Sequence, residues 1–145
     1  MFRPIHAILA AFMAMSSLLA PIPVKAADLA ASYDENSGEC ANPGYLGRIT
    51  NRFAYQVRHV PNLPDVAIVD YQRIHEHRYL PSSEEWPIER RYCGATVVLS
   101  DGRTRDLWYL IEGRMGFAGI GKNVEFCVSG FDRWMVYNGR CRVLR

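Results

Sequence analysis

The chain has 145 residues, 17 of them basic and 15 acidic, with 49% hydrophobic content and four cysteines. That length and apolar share are enough for one packed domain. The near balance of charge excludes the basic stripe of a nucleic-acid binder and the polybasic patch of a protein held on anionic lipid.

The first segment reads as an export signal. Arg3 opens a short positive stretch, and residues 8–19 form an apolar run too short to span a bilayer as a helix. Pro21 and Pro23 break the run, and Val24-Lys25-Ala26 puts small residues at −3 and −1. This layout predicts a signal peptide at residues 1–26, cut after Ala26, with no stable membrane insertion afterwards. The cut removes two of the 17 basic residues and none of the 15 acidic ones, so the remainder is neutral with histidine uncharged. Residues 27–39 are small and polar and read as a flexible leader. Residues 40–145 read as a single domain.

Cys40, Cys93, Cys127 and Cys141 all lie in that domain. An even count in an exported chain predicts two disulfides. The wide gaps do not supply the paired C-x₂₋₄-C spacing of a zinc site. Three pairings are open. The reading leans to Cys127–Cys141, which closes a short C-terminal loop, with Cys40–Cys93 tying the N-terminal segment to the sheet.

Asn42-Pro43 is a helix start, because Asn accepts a hydrogen bond at N-cap and Pro loses nothing at N1. Leu46, Ile49, Phe53, Val57 and Val60 follow at steps of three and four, one face of a helix over residues 43–59. Pro61 stops it. Residues 66–79 read as a strand. If it is unbroken, Val69, Tyr71, Arg73, His75, His77 and Tyr79 share one face, and neither face is purely apolar, as on an outer strand, a bulged one or a ligand-facing one. Asp101-Gly102 predicts a two-residue hairpin turn joining residues 88–100 to 103–112, with Val98 opposite Arg105 and Thr96 opposite Leu107. The second arm is apolar on both faces, as a central strand would be. Residues 124–128 return after a glycine-rich loop.

The expected fold is therefore α+β: one N-terminal helix across a curled antiparallel sheet of four or five strands. In outline it is like the cystatin or NTF2 shape, which hosts many functions.

Four constellations could carry chemistry. His75 and His77 point the same way in a strand and are weak candidates for a metal pair, two ligands short of a site. The loop around Arg114, Met115, Phe117, Ile120 and Lys122 is neither a phosphate loop nor a dinucleotide fingerprint, since a strand follows it, and it reads as a partner-recognition loop. Trp134, beside Arg133, is a candidate exposed aromatic contact. No nucleophile, acid pair or base comes with an identifiable partner: Ser100 lacks an elbow motif, Glu84-Glu85 are merely adjacent, and His59 stands alone.

The motifs Trp108-Tyr-Leu-Ile-Glu112, Gly116-Phe-Ala-Gly-Ile-Gly121, Asn123-Val-Glu-Phe-Cys-Val128, Trp134-x-Val-Tyr137 and Cys141-Arg142 lie toward the C-terminal end. With them, the chain from about Cys40 onward resembles a group of small, uncharacterised exported proteins of alphaproteobacteria. The resemblance implies a periplasmic setting in a Gram-negative cell and no particular activity. The expectation is a non-catalytic periplasmic binding module, without cofactor, whose partner is an envelope protein or a cell-wall component. An inhibitor of a wall hydrolase or protease, and a small-ligand carrier or enzyme using the cup between helix and sheet, are the alternatives.

Overall fold

The computed structural model describes residues 38–114 and 121–145. Helix α1 spans Pro43–His59, and strands β1 (Ile68–Leu80), β2 (Arg90–Leu99), β3 (Thr104–Glu112) and β4 (Asn123–Val128) follow. The Asn42 side chain accepts a hydrogen bond from the Gly44 N–H at 2.9 Å, so the helix starts as its cap chemistry dictates. It ends at Val60, which is extended at φ −90° and ψ 119°, the conformation forced on a residue before proline. Leu46, Ile49, Phe53 and Val57 are its buried stripe, each contributing about 1.5–3 kcal/mol of apolar transfer.

The four strands form one antiparallel sheet in the order β1-β2-β3-β4. It is curled and unclosed. Strand β3 is internal, as its two apolar faces require. One face carries Cys93, Ala95, Val97 and Leu99 of β2, Leu107, Tyr109 and Ile111 of β3, and Val124, Phe126 and Val128 of β4, all packed with α1. On the other face Leu110, Cys127, Cys141 and Leu144 form a second small core, with Tyr92, Trp108 and Tyr137 against it.

The central hairpin departs from the expected register by one residue. Val98 pairs with Thr104, and Thr96 with Asp106. The turn has three residues rather than two: Gly102 N–H donates to the Leu99 carbonyl, and Leu99 N–H to that of Arg103, both at 2.8 Å. Gly102 takes φ +80°, and the Asp101 carboxylate accepts from the Arg103 N–H. This is the turn-plus-bulge form of hairpin. Packing selects it. A two-residue turn would set Ala95 opposite Trp108, whereas the observed register sets it opposite Leu107 and keeps the helix-facing side apolar.

Strand β1 is an edge strand with register shifts between Gln72 and His75 and between Glu76 and Arg78. Arg73 sits at φ +52°. The single face expected for Val69 through Tyr79 is therefore split. Tyr71 faces the helix, Ile74 is buried, and His75 lies opposite Gly94 on the other side. The Arg73 guanidinium is turned onto the Thr96 hydroxyl. No fifth strand forms among the described residues; the chain ends in turns and the 3-10 segment Arg142–Leu144.

Both disulfides form as the spacing favoured, Cys40–Cys93 and Cys127–Cys141. They close loops of 53 and 14 residues, for which loop-closure entropy gives about 4 and about 3 kcal/mol. Replacing each pair by serine is expected to lower unfolding free energy in that order. Urea denaturation of the two double variants checks it.

Candidate binding groove

The segment after β4 leaves the sheet at Ser129, crosses the end of α1 and returns to the sheet through the Cys127–Cys141 bridge. Asp132 shapes its first turn. Its carbonyl accepts the Met135 N–H at 3.2 Å and its carboxylate accepts the Tyr137 N–H at 3.0 Å. Asn138 N–H then donates to the Met135 carbonyl at 2.9 Å. Met135, Asn138, Arg140 and Cys141 all have φ between 50° and 58°, a region that costs non-glycine residues free energy and persists only where surroundings impose it. The turn holds Trp134, Met135 and Val136 outward, 65%, 72% and 68% exposed.

Beside this tip lies a groove of about 640 Å³. Tyr55, Gln56 and Val60 of the helix end form one wall, and Trp134, Val136 and Tyr137 form the other. Phe126, Val128 and Phe131 are at its base. Its polar groups are largely committed to structure. Gln56 Nε2 donates to the Phe131 carbonyl at 2.9 Å and Arg52 Nη1 to that of Val124 at 2.5 Å. Phe131 meets Phe53 edge-on at 4.9 Å. Burial and the nearby Glu125 carboxylate push the Tyr137 hydroxyl up from its ordinary pKa. The groove offers apolar contact and shape rather than reactive groups.

Arg114 and Lys122 line a different cavity, about 480 Å³, with Glu89 and Gly113; Trp134 is not part of it. Lys122 Nζ lies 2.6 Å from Glu39 and 3.1 Å from Glu89. Glu39 also accepts from Tyr45, Glu89 accepts from Tyr79, and Arg48 donates to the Lys122 carbonyl. Five segments meet at this ammonium. Glu39, expected in a flexible leader, is one of its two anchors and belongs to the turn Gly38–Ala41. The hydrogen bonds from Lys122 hold both carboxyls below their ordinary pKa and raise that of Lys122. Met115, Phe117 and Ile120 lie outside the described residues.

His75 and His77 do come together, on the face away from the helix, with ring centres 6.3 Å apart. Both meet Trp108 edge-on, and His77 also meets Tyr92. His75 Nδ1 lies 2.8 Å from the Arg73 carbonyl. Its ring occupies the space a Cβ on Gly94 would need, with Cε1 only 2.6 Å from that position. Arg78 and Arg145 stack on Tyr92 and Trp108. The pair packs into an aromatic and cationic layer, and no group of three or more metal-binding side chains gathers among the described residues. Burial, helped by His75 and Arg78, lowers the His77 pKa.

The exposure of Trp134 was legible in the sequence; Met135 and Val136 beside it, and the place of Tyr55 and Phe126 in the groove lining, were not. The available signal was an apolar run set between Asp132 and Asn138-Gly139, too short for a strand and bracketed by turn formers. Among the described residues no helix is long and apolar enough to cross a membrane. No family model, characterised protein or solved structure matches the chain.

The histidine layer behind the sheet and the Lys122 corner each make a testable prediction. Gly94→Ala should destabilise the fold by about 1–3 kcal/mol, the usual cost of overpacking, and adding His75→Ala should restore most of the loss in a double-mutant cycle. A histidine with a lowered folded pKa stabilises the fold above its ordinary 6.5, and this is lost as pH falls. Carboxyls with lowered pKa stabilise above 4.5 and lose it below. Melting temperature should therefore fall in two stages on acidification, with His77→Gln removing the upper stage and Lys122→Met the lower.

Proposed function

We propose that this protein is a non-catalytic binding module of the cell envelope, working outside the cytoplasm, and that it holds a partner protein on the Trp134–Met135–Val136 tip and in the groove beside it. One observation carries the reading. Three consecutive large apolar side chains are held in water by a strained turn that a disulfide tethers to the sheet. A chain selected only for stability would turn such residues inward or replace them, and a run of this kind marks a contact surface. The two disulfides support an oxidising compartment, in keeping with the export signal read from residues 1–26. An apolar tip favours protein over the hydroxyl-rich glycan of the wall.

Immobilised mature protein should retain a defined envelope protein and should not retain purified peptidoglycan. Trp134→Ser with Val136→Ser should reduce that retention at least tenfold while leaving the melting temperature within a few degrees, because both side chains are already exposed. Equal retention by the variant would overturn the proposal.

A further inference from the structure

The base of the groove is a sheet edge. Ser129 N–H donates to the Asp106 carbonyl at 2.8 Å, and that pair continues the β3–β4 register. In an antiparallel ladder the backbone groups alternate sides. Asn123, Glu125 and Cys127 therefore bond to β3, and Val124, Phe126 and Val128 direct their N–H and C=O outward. Two of these outward carbonyls are occupied. Val124 accepts from Arg52, and Val128 accepts from the Phe131 N–H at 2.9 Å. Between them, the N–H and C=O of Phe126 have no hydrogen-bond partner among the described residues, and Phe126 lines the groove. The charged side chains of the lining are Arg52, Arg133 and Asp132. Two guanidiniums against one carboxylate leave the lining net basic, and the Asp132 carboxylate is held in place by the Tyr137 N–H.

We infer that the groove takes an extended polypeptide segment that adds to β4 as a further strand, paired through its backbone with Phe126. The segment carries apolar side chains against Trp134 and Tyr55 and an acidic residue against Arg133. This rests on the groove being the binding surface and names the chemistry of its occupant. An unpaired N–H and C=O on one residue are complementary to the C=O and N–H of one residue on an added strand. Arg52 at one end and the Phe131 turn at the other take the Val124 and Val128 carbonyls, so Phe126 is where an added strand can pair through both backbone groups. The same stops keep β4 from serving as an open template for self-association.

The probe is a short capped peptide of alternating leucine and threonine with a terminal glutamate, compared with two forms N-methylated on one or the other set of alternate residues. In an added strand only one set faces the edge. The parent peptide should shift the Phe126 amide resonance and the Trp134 fluorescence of the disulfide-intact protein. Methylation of one set should weaken binding at least tenfold and methylation of the other only slightly, and Arg133→Ala should weaken the parent severalfold. No binding of the parent, or equal effects of the two methylation patterns, would overturn strand addition. Loss of partner retention in the Trp134 and Val136 variant would still stand in that case; its absence as well would remove the groove reading.

Discussion

The fold depends on what converges at Cys40. This residue is fully buried just ahead of the helix cap, and its sulfur is bonded to Cys93 in β2. Its carbonyl accepts the hydroxyl of Tyr109, a buried side chain on β3, at 2.7 Å. Burial drives the Tyr109 pKa upward, so this hydroxyl stays a donor across the working range. One covalent and one polar link therefore fix where α1 starts over the two middle strands. A second tyrosine extends the seam: Tyr71 donates to the Leu46 carbonyl at 3.0 Å and lies 2.8 Å from the Thr50 hydroxyl, its pKa pushed up to about 12 by burial. With the start and direction of the helix set, Ile49, Phe53 and Val57 can only lie along the sheet.

The far end of the helix makes the groove. Because α1 runs alongside β4, with Arg48, Arg52 and Gln56 bonded in turn to the carbonyls of Lys122, Val124 and Phe131, its last turns bring Tyr55, Gln56 and Val60 beside the segment that leaves the sheet. That segment cannot drift, since Cys127–Cys141 returns it to the opposite face. The tip is thus exposed by covalent restraint, and the free energy spent on its left-handed residues is offset by the bridge and the small core around Leu144. The opposite corner, around Lys122, is closed by charge. There an ammonium between two carboxylates ties the first turn to the approaches of β2 and β4.

The histidines show how one backbone irregularity redirects chemistry. The bulge at Arg73 moves Ile74 into the core and places His75 and His77 on the outer face. There Gly94 provides the depth for an imidazole to lie against the sheet, and Trp108 supplies its wall. Spacing of i and i+2 is what a metal pair would show, and it is also what a packed aromatic layer shows. Here both rings lie edge-on to Trp108, and Nδ1 of His75 lies against the Arg73 carbonyl.

Local chemistry was enough for some of this. Helix α1 and both its ends followed from Asn42, Pro43 and Pro61, because a cap and a proline act on the residues beside them. The internal place of β3 followed from its two apolar faces, and the cysteine pairing was favoured by loop length. What depends on contacts distant in the chain was decided only by tertiary structure. The one-residue shift of the hairpin comes from Ala95 seeking Leu107 rather than Trp108, a choice the turn residues do not encode. The bulge at Arg73 needs Thr96 and Gly94 as its partners. Glu39 becomes part of the domain only because Lys122 arrives beside it from 83 residues along the chain. The exposed tip and the groove beside it exist because a helix, a strand and a bridged tail meet, and no stretch of sequence contains all three.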